Sequence, residues 1–309
     1  MTASASPIFP SIVRPFQLEG CDVRGKLVRL GSAYADILAP HDYPPSVARL
    51  LGELLALSAA LSTSLKYDGT FTIQTSSDGP IRMIMADVQS DGGMRAYARY
   101  RPDAIEGALD DDGDATIGDL LGSGHIAFTV DQGPDTTRYQ GITAIEGESL
   151  SDCANTYFRQ SEQLETEIML VAEPGGEGHD ARAAALMLQR LPRPQRQITD
   201  PEEDDEKWRN AVVLMKSMSA DELLDSQIPT DNLLYRLYHE TGVRVFDGRP
   251  LRFHCRCSRE RVANTLASFS ADDLKDMKTD AGLIVATCEF CGTSYTFDDD
   301  QLAELRRVH

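Results

Sequence analysis

The residues best placed to do chemistry are four cysteines in the C-terminal part of the chain. Cys255-Arg-Cys257 and Cys288-Glu-Phe-Cys291 form two short pairs, separated by residues 258–287. Each pair can place two sulfurs on one side of a tight turn, and together they offer four soft donors. Such a set suits one zinc ion in a closed tetrahedral shell, with Zn–S distances of about 2.3 Å. A full shell leaves no position for water, so the expected role is structural and Lewis-acid catalysis is not expected. His254 is a weaker alternative ligand, because the four thiolates already complete the coordination.

The first pair has one intervening residue where structural zinc knuckles use two to four. In extended chain, residues two apart lie about 6.6 Å apart at their α-carbons, near the upper limit for a disulfide. A bond between Cys255 and Cys257 therefore needs a local bend, and strained disulfides are the reducible, regulatory kind. Arg249, Arg252, Arg256, Arg259 and Arg261 surround the pair in sequence. Positive charge lowers a thiol's pKa and favours the thiolate. The same arginines equally suit balancing a zinc–thiolate centre or forming a solvated face. Cys21 and Cys153 have no activating His neighbour and read as small core residues.

The elements that must position these cysteines follow from periodicity and turn signals. Strand-like runs are expected at Lys26–Leu30, Thr70–Thr75, Ile81–Gln89, Met94–Tyr100, His125–Val130, Arg138–Ile145, Glu167–Ala172 and Ala183–Gln189, with turns at Asp78-Gly79 and Asp91-Gly92-Gly93. Val47, Leu50, Leu51, Leu54, Leu55, Leu61 and Leu65 recur at helical spacing after Pro45, a wide stripe that should cover one face of the sheet. A second helix near Ser151–Gln160 has Ser149 or Ser151 as its cap. After the Leu191-Pro-Arg-Pro break, Thr199 or Asp200 caps a helix opening on Pro201 and five acidic residues. Trp208, Ala211, Val212, Met215 and Met218 then form an apolar stripe whose packing partner the sequence does not name. Shorter helices are expected at Ala220–Gln227 and Asp231–Thr241.

The fold class is thus α+β: a large N-terminal domain with a mainly antiparallel sheet packed by helices (1–190), a helical linker (191–242) and a small C-terminal zinc-binding module (243–309). The chain has 309 residues and a net charge of −19, which repels nucleic-acid phosphates and anionic membranes. No cationic leader precedes an apolar run, and the apolar stretch Val47–Leu65 is broken by Gly52 and charged residues, so a cytoplasmic protein is expected. Two rival readings attach to the cysteines. One is a zinc-ribbon nucleic-acid or transcription module, favoured by the arginines and opposed by the net charge. The other is a thiol–disulfide oxidoreductase using Cys288 and Cys291, a motif that normally sits at a helix start in a βαβ unit.

Phe253-His-Cys-Arg-Cys-Ser-Arg-Glu-Arg-Val262 and Cys288-Glu-Phe-Cys-Gly-Thr-Ser-Tyr-Thr-Phe297 resemble the C-terminal signature of the heat-shock protein 33 family, the redox-regulated 33 kDa chaperonins. Val23–Leu30, Arg138–Ile142, Tyr157-Phe-Arg-Gln-Ser-Glu-Gln-Leu164 and Arg236–Glu240 are similar to further family segments, so the resemblance covers most of the chain. Glu165, where the family often has Pro, and the acidic connector 173–180 depart from it. The resemblance implies an ATP-independent holdase, not an enzyme, that is latent while reduced and zinc-bound and acts in oxidative stress. It implies that oxidation joins Cys255 to Cys257 and Cys288 to Cys291, releases zinc, unfolds the linker and exposes apolar surface. The implied partners are unfolded or partly unfolded client proteins and, on activation, a homodimer, with no nucleic acid and no membrane. A small four-ligand module draws about 10–16 kcal/mol from its metal, against about 5–15 kcal/mol for a whole domain, so metal loss should unfold it. The linker stripe is then expected to lose whatever packing partner the module provides.

Overall fold

Alternating strand and turn text becomes two six-stranded sheets in the computed structural model, which describes residues 9–63, 68–111, 113–133, 136, 139–176, 179–192 and 201–301. The chain divides into two units, residues 1–253 and 254–309. The first unit runs β1 (Ile12–Leu18), β2 (Val23–Leu30), α1 (Ser32–Leu38), α2 (Pro45–Ser62), β3 (Thr70–Ser77), β4 (Ile81–Gln89), β5 (Gly93–Tyr100), α3 (Pro102–Ile105), α4 (Ile117–Leu121), β6 (Gly124–Asp131), β7 (Tyr139–Ala144), α5 (Leu150–Tyr157), β8 (Thr166–Glu173), β9 (Arg182–Arg190), α6 (Pro201–Lys216), α7 (Ala220–Leu224), α8 (Thr230–Tyr238), β10 (Val243–Val245), β11 (Arg249–Pro250) and β12 (Arg252–Phe253). The first sheet has the order β10-β1-β2-β9-β8, with β11 also on β1; the second has the order β12-β5-β4-β3-β6-β7. Pairing is antiparallel except for β12 on β5. Residues 243–253, expected at the start of the C-terminal module, thus form strands in the sheets of the first unit. The turn from β4 to β5 uses Gly92 at φ 88, where a Cβ would stand 2.4 Å from the Pro250 carbonyl oxygen.

Helix α2 opens on Pro45, whose fixed φ suits the first helical position. The expected stripe would cover one sheet face. Instead α2 packs against β2, β8 and β9 of the first sheet and against β3, β4 and β5 of the second. Enclosure from both sides explains why Ala48, Ala56, Ala59, Ala60 and Ser58 are buried along with the leucines. Small residues let two sheets approach one helix closely. The helix has the length and apolarity of a membrane span, yet 78% of that window is buried inside the protein. Each leucine so enclosed contributes about 1.5–3 kcal/mol.

Strand β9 is apolar on both faces for the same geometric reason. Successive side chains alternate, so Ala183, Ala185 and Met187 face the α2 core while Ala184, Leu186 and Leu188 join a second core on the other side. That second core is closed by the linker helices. Ala211 and Met215 of α6, Met218, Leu223 and Leu224 of α7, and Leu233, Leu234 and Tyr238 of α8 meet Phe16, Leu18 and Leu27 there, with Trp208 and Val212 partly buried at its edge. The partner of the linker stripe is therefore the outer face of the first sheet in its own unit, which corrects the expectation that the C-terminal module supplies it. The proposed caps Thr199 and Asp200 and the first residue of the expected Arg138 strand lie outside the described residues; Ser149 caps α5 as expected, in a capping box with Asp152.

Two arginines pin the turn between α7 and α8. Arg29 is 1% exposed and its Nη1 donates to the Ile228 carbonyl at 2.6 Å, while Arg182 Nη1 donates to the Leu224 carbonyl at 3.3 Å. Both guanidiniums lie over the Phe9 ring, at 5.0 and 5.7 Å. Arg29 Nε and Nη2 are buried without a hydrogen-bond partner among the described residues. Burial brings Arg29 down to about 10, although Asp225 opposes the shift.

The second unit holds α9 (Arg259–Ala267), α10 (Ala271–Asp276) and the two-stranded sheet β13 (Ile284–Thr287) and β14 (Ser294–Phe297). Its buried core is Ala263, Leu266, Leu274, Ile284 and Phe297, extended by Val262 and Tyr295. The Arg259 guanidinium caps Phe297 at 4.3 Å. So small a core needs a further tie to fold.

The enclosure of α2 reverses the usual sign of one substitution. Alanine in place of a helical glycine ordinarily stabilises by about 1 kcal/mol, but a Cβ on Gly52 would stand 2.7 Å from the Tyr34 ring and 2.8 Å from the Ala172 Cβ. Gly52→Ala is expected to cost about 1–3 kcal/mol in urea unfolding; an increase in stability would contradict the described packing.

Candidate metal centre

The four C-terminal cysteines converge in the second unit. Cys255 and Cys257 lie in the irregular run before α9, which begins where the Ser258 hydroxyl accepts from the Arg261 amide at 3.2 Å. Cys288 and Cys291 occupy the loop joining β13 to β14. The Cys288 amide donates to the Thr293 carbonyl at 2.9 Å, and the amides of Cys291 and Gly292 donate to the Cys288 carbonyl at 3.3 and 2.8 Å. Gly292, at φ 67, lets the chain double back so that both side chains point the same way. An antiparallel hairpin, rather than a strand followed by a helix, carries this Cys-x-x-Cys pair.

All four sulfurs lie within 4.8 Å of one another, and the cysteines are half-buried. Cys255 Sγ is 3.7 Å from Cys288 Sγ, and Cys257 Sγ is 3.4 Å from Cys291 Sγ. Disulfide sulfurs would be about 2.05 Å apart, so these are free thiols. Four sulfurs set at about 2.3 Å around one ion in a tetrahedron are spaced by ~3.8 Å. The donor set suits a zinc-sized ion, and the 3.7 and 3.4 Å separations lie near that spacing. His254 is not part of the group.

The electrostatics of the bare thiols are uneven. Burial pushes Cys257 up to about 12, aided by the neighbouring cysteines and resisted by the Tyr295 hydroxyl 3.1 Å away. Burial also raises Cys288, against backbone amides that favour its thiolate. Cys291 is likewise pushed up by burial, but the Thr293 hydroxyl and amide and the adjacent sulfurs outweigh this and bring it down to about 7. Sulfurs this close titrate as a set, and a divalent cation among them favours every thiolate.

The arginine cluster takes other roles. Arg252 pairs with Asp91 at 2.5 Å. Arg259 stacks on Phe297 and donates to the Thr296 carbonyl at 2.8 Å, and Arg261 donates to the Arg256 carbonyl at 3.0 Å. The leading influences on the thiols are burial and hydrogen bonds, not the arginine charge that sequence adjacency suggests. Thr293 and Tyr295 are the site residues that spacing arguments missed. Their only signal was position, just after the second pair on a strand that folds back toward it. Cys21 and Cys153 are buried away from the group, in separate cores of the first unit, as expected.

Comparison with known proteins adds the family. A family model described as Hsp33 protein matches residues 11–298. A 33 kDa chaperonin of Caulobacter vibrioides is 39% identical over 293 residues, covering 94% of this chain and 96% of its own. One from Pseudomonas syringae pv. tomato is 43% identical over 302 residues, covering 96% and 94%. The crystal structure of the 33 kDa chaperonin of Thermotoga maritima superposes with a TM-score of 0.81 at 21% identity, over 96% of this chain and 98% of that one, which establishes the shared fold. A four-cysteine cluster, two sheets around one helix and near full-length similarity to named chaperonins converge: this chain belongs to the Hsp33 family of chaperones.

Proposed function

We propose that this chaperone is a redox-regulated, ATP-independent holdase rather than an enzyme. The observation that carries the reading is a four-sulfur group within 4.8 Å, set in a unit whose core holds five buried apolar residues among those described. Cys255, Cys257, Cys288 and Cys291 would hold one zinc ion. Bound zinc would supply a closed thiolate shell worth about 10–16 kcal/mol to the folding of this unit. The family resemblance assigns the oxidised pairs, Cys255 with Cys257 and Cys288 with Cys291. Each disulfide forms as two thiolates lose two electrons; hydrogen peroxide takes them with two protons and leaves as two waters. Sulfurs committed to disulfides no longer act as thiolate donors, so zinc is released and the unit loses the tie that its small core requires.

In this reading the chain has a client-binding core (1–190), a redox-sensitive linker (191–242) and a switch module expected over 243–309, of which residues 243–253 pair with the sheets of the first unit. Release of α6, α7 and α8 would uncover Phe16, Leu18, Leu27, Leu186 and Leu188, an apolar sheet face suited to unfolding clients. The same face suits self-association of the activated form into a homodimer. A net charge of −19 supports a cytoplasmic protein that avoids nucleic acid and anionic membranes.

Reduced protein treated with peroxide or hypochlorite should lose its zinc and gain the ability to suppress aggregation of a denaturing test protein. Full zinc loss with no such gain would reject the holdase reading. Cys288→Ser should purify without zinc and hold clients partially without oxidant; stoichiometric metal in that variant would contradict the ligand assignment. Met215→Ala removes a side chain that is 1% exposed between α6 and the sheet, at a cost of about 2–5 kcal/mol. It should raise client holding by the reduced, metal-loaded protein, and unchanged latency would show that the linker helices do not cover the client surface.

A further inference from the structure

The segment Tyr157–Leu164 has no part in the cysteine switch, yet it has the most unusual backbone of the first unit. Helix α5 ends in a π-helical turn over Phe158–Glu162, followed by Gln163 at φ 54, the sole non-glycine residue with positive φ among those described. Wide turns and left-handed non-glycine residues cost free energy and recur where a chain shapes a functional site. Here they turn Phe158, Glu162 and Leu164 toward one cavity of about 340 Å³.

That volume lies in the lower part of the range of small-ligand pockets, about 300–1,000 Å³. Phe71, Phe128 and Val130 of the second sheet make an apolar floor, and Tyr157 stacks on Phe128 at 4.4 Å. Two polar groups break the lining in different ways. Glu162 Oε1 accepts from the Tyr139 hydroxyl at 2.7 Å and from the Tyr157 hydroxyl at 2.8 Å, so that oxygen already holds two donors. Arg24 is placed differently. Its Nε and Nη2 donate to the neutral Gln189 Oε1 at 2.9 and 2.5 Å, and among the described residues no carboxylate pairs with it. Gln189, 1% exposed and donating in turn to Thr166 Oγ1 at 3.2 Å, fixes the guanidinium in place. Burial lowers Arg24 and no nearby charge offsets that penalty. A half-buried, fixed cation at the wall of an apolar cavity is complementary to an anionic head on an apolar body.

We propose that this cavity binds a small carboxylate with an aromatic or aliphatic body, the body against Phe71 and Phe128 and the carboxylate on Arg24. The ligand could be a free organic acid or the C-terminal carboxylate of a chain ending in an apolar residue. The chemistry of recognition is the same for both. The site is independent of the cysteines, so it does not rest on the redox reading.

The test is isothermal titration of reduced, metal-loaded, full-length protein with decanoate, N-acetylphenylalanine and decanol. At least one of the two acids should bind one per chain, and decanol at least about tenfold more weakly than that acid. Decanoate binding alone assigns a free acid; binding of N-acetylphenylalanine in preference to its amide assigns a chain terminus. Arg24→Gln should weaken acid binding about tenfold or more and leave decanol unchanged. Leu164→Trp, which fills the cavity from the exit of the π-turn, should abolish both and so tests the location should Arg24→Gln fail to fold. Absence of saturable binding by either acid, equal affinity for decanol, or full acid binding in both variants would overturn the proposal.

Discussion

Four sulfur atoms drawn within bonding distance of one common point constrain everything in the second unit. Sulfurs this close share their protons unevenly: the neighbouring cysteines hold Cys257 and Cys288 up and help bring Cys291 down. What makes the arrangement economical is the hairpin loop after β13, in which Gly292 and three backbone hydrogen bonds aim Cys288 and Cys291 at the run carrying Cys255 and Cys257. With so few buried side chains nearby, the sulfurs are the main cross-link between α9 and the hairpin.

The first unit obeys a different constraint, that of a sheet with two apolar faces. The alternation along β9 sends one set of side chains to α2 and the other to α6, α7 and α8. The α2 side is enclosed between two sheets and is closed permanently. The other side is closed by helices α6, α7 and α8, with α6 opening on an acidic turn tied to Arg190 through Asp204 and Asp205. One sheet thus carries both a permanent core and a covered apolar surface.

Legibility in the sequence divides along the same lines. The four-cysteine group could be read because soft donors at short spacing have few other uses, and α2 because apolar residues at helical spacing from Val47 to Leu61 are hard to place elsewhere, Leu65 lying outside the described residues. The hairpins at Asp78-Gly79 and Asp91-Gly92-Gly93 were also legible, since tight turns demand particular residues. Pairing across long separations was not. Nothing local says that Val243–Val245 and Arg249–Pro250 join β1, or that the Met215 stripe faces Leu186. Thr293 and Tyr295 were missed because their influence comes through a bent hairpin, and of the readings left open for the arginines near Cys255, the contacts of Arg252, Arg259 and Arg261 lie with a carboxylate, an aromatic ring and backbone carbonyls.

The buried arginines beneath the turn between α7 and α8 have one further implication. Arg29 reaches the Ile228 carbonyl with one nitrogen, and its other two find no hydrogen-bond partner among the described residues. A contact of that kind supplies little net free energy, because desolvation cancels most of what the hydrogen bond returns. What it supplies is uniqueness, since a guanidinium admits one seating of the carbonyl where leucines would tolerate several. Fidelity of packing is therefore separated from its strength: the arginines fix where the turn sits, and the apolar side chains around it supply most of what holds it there.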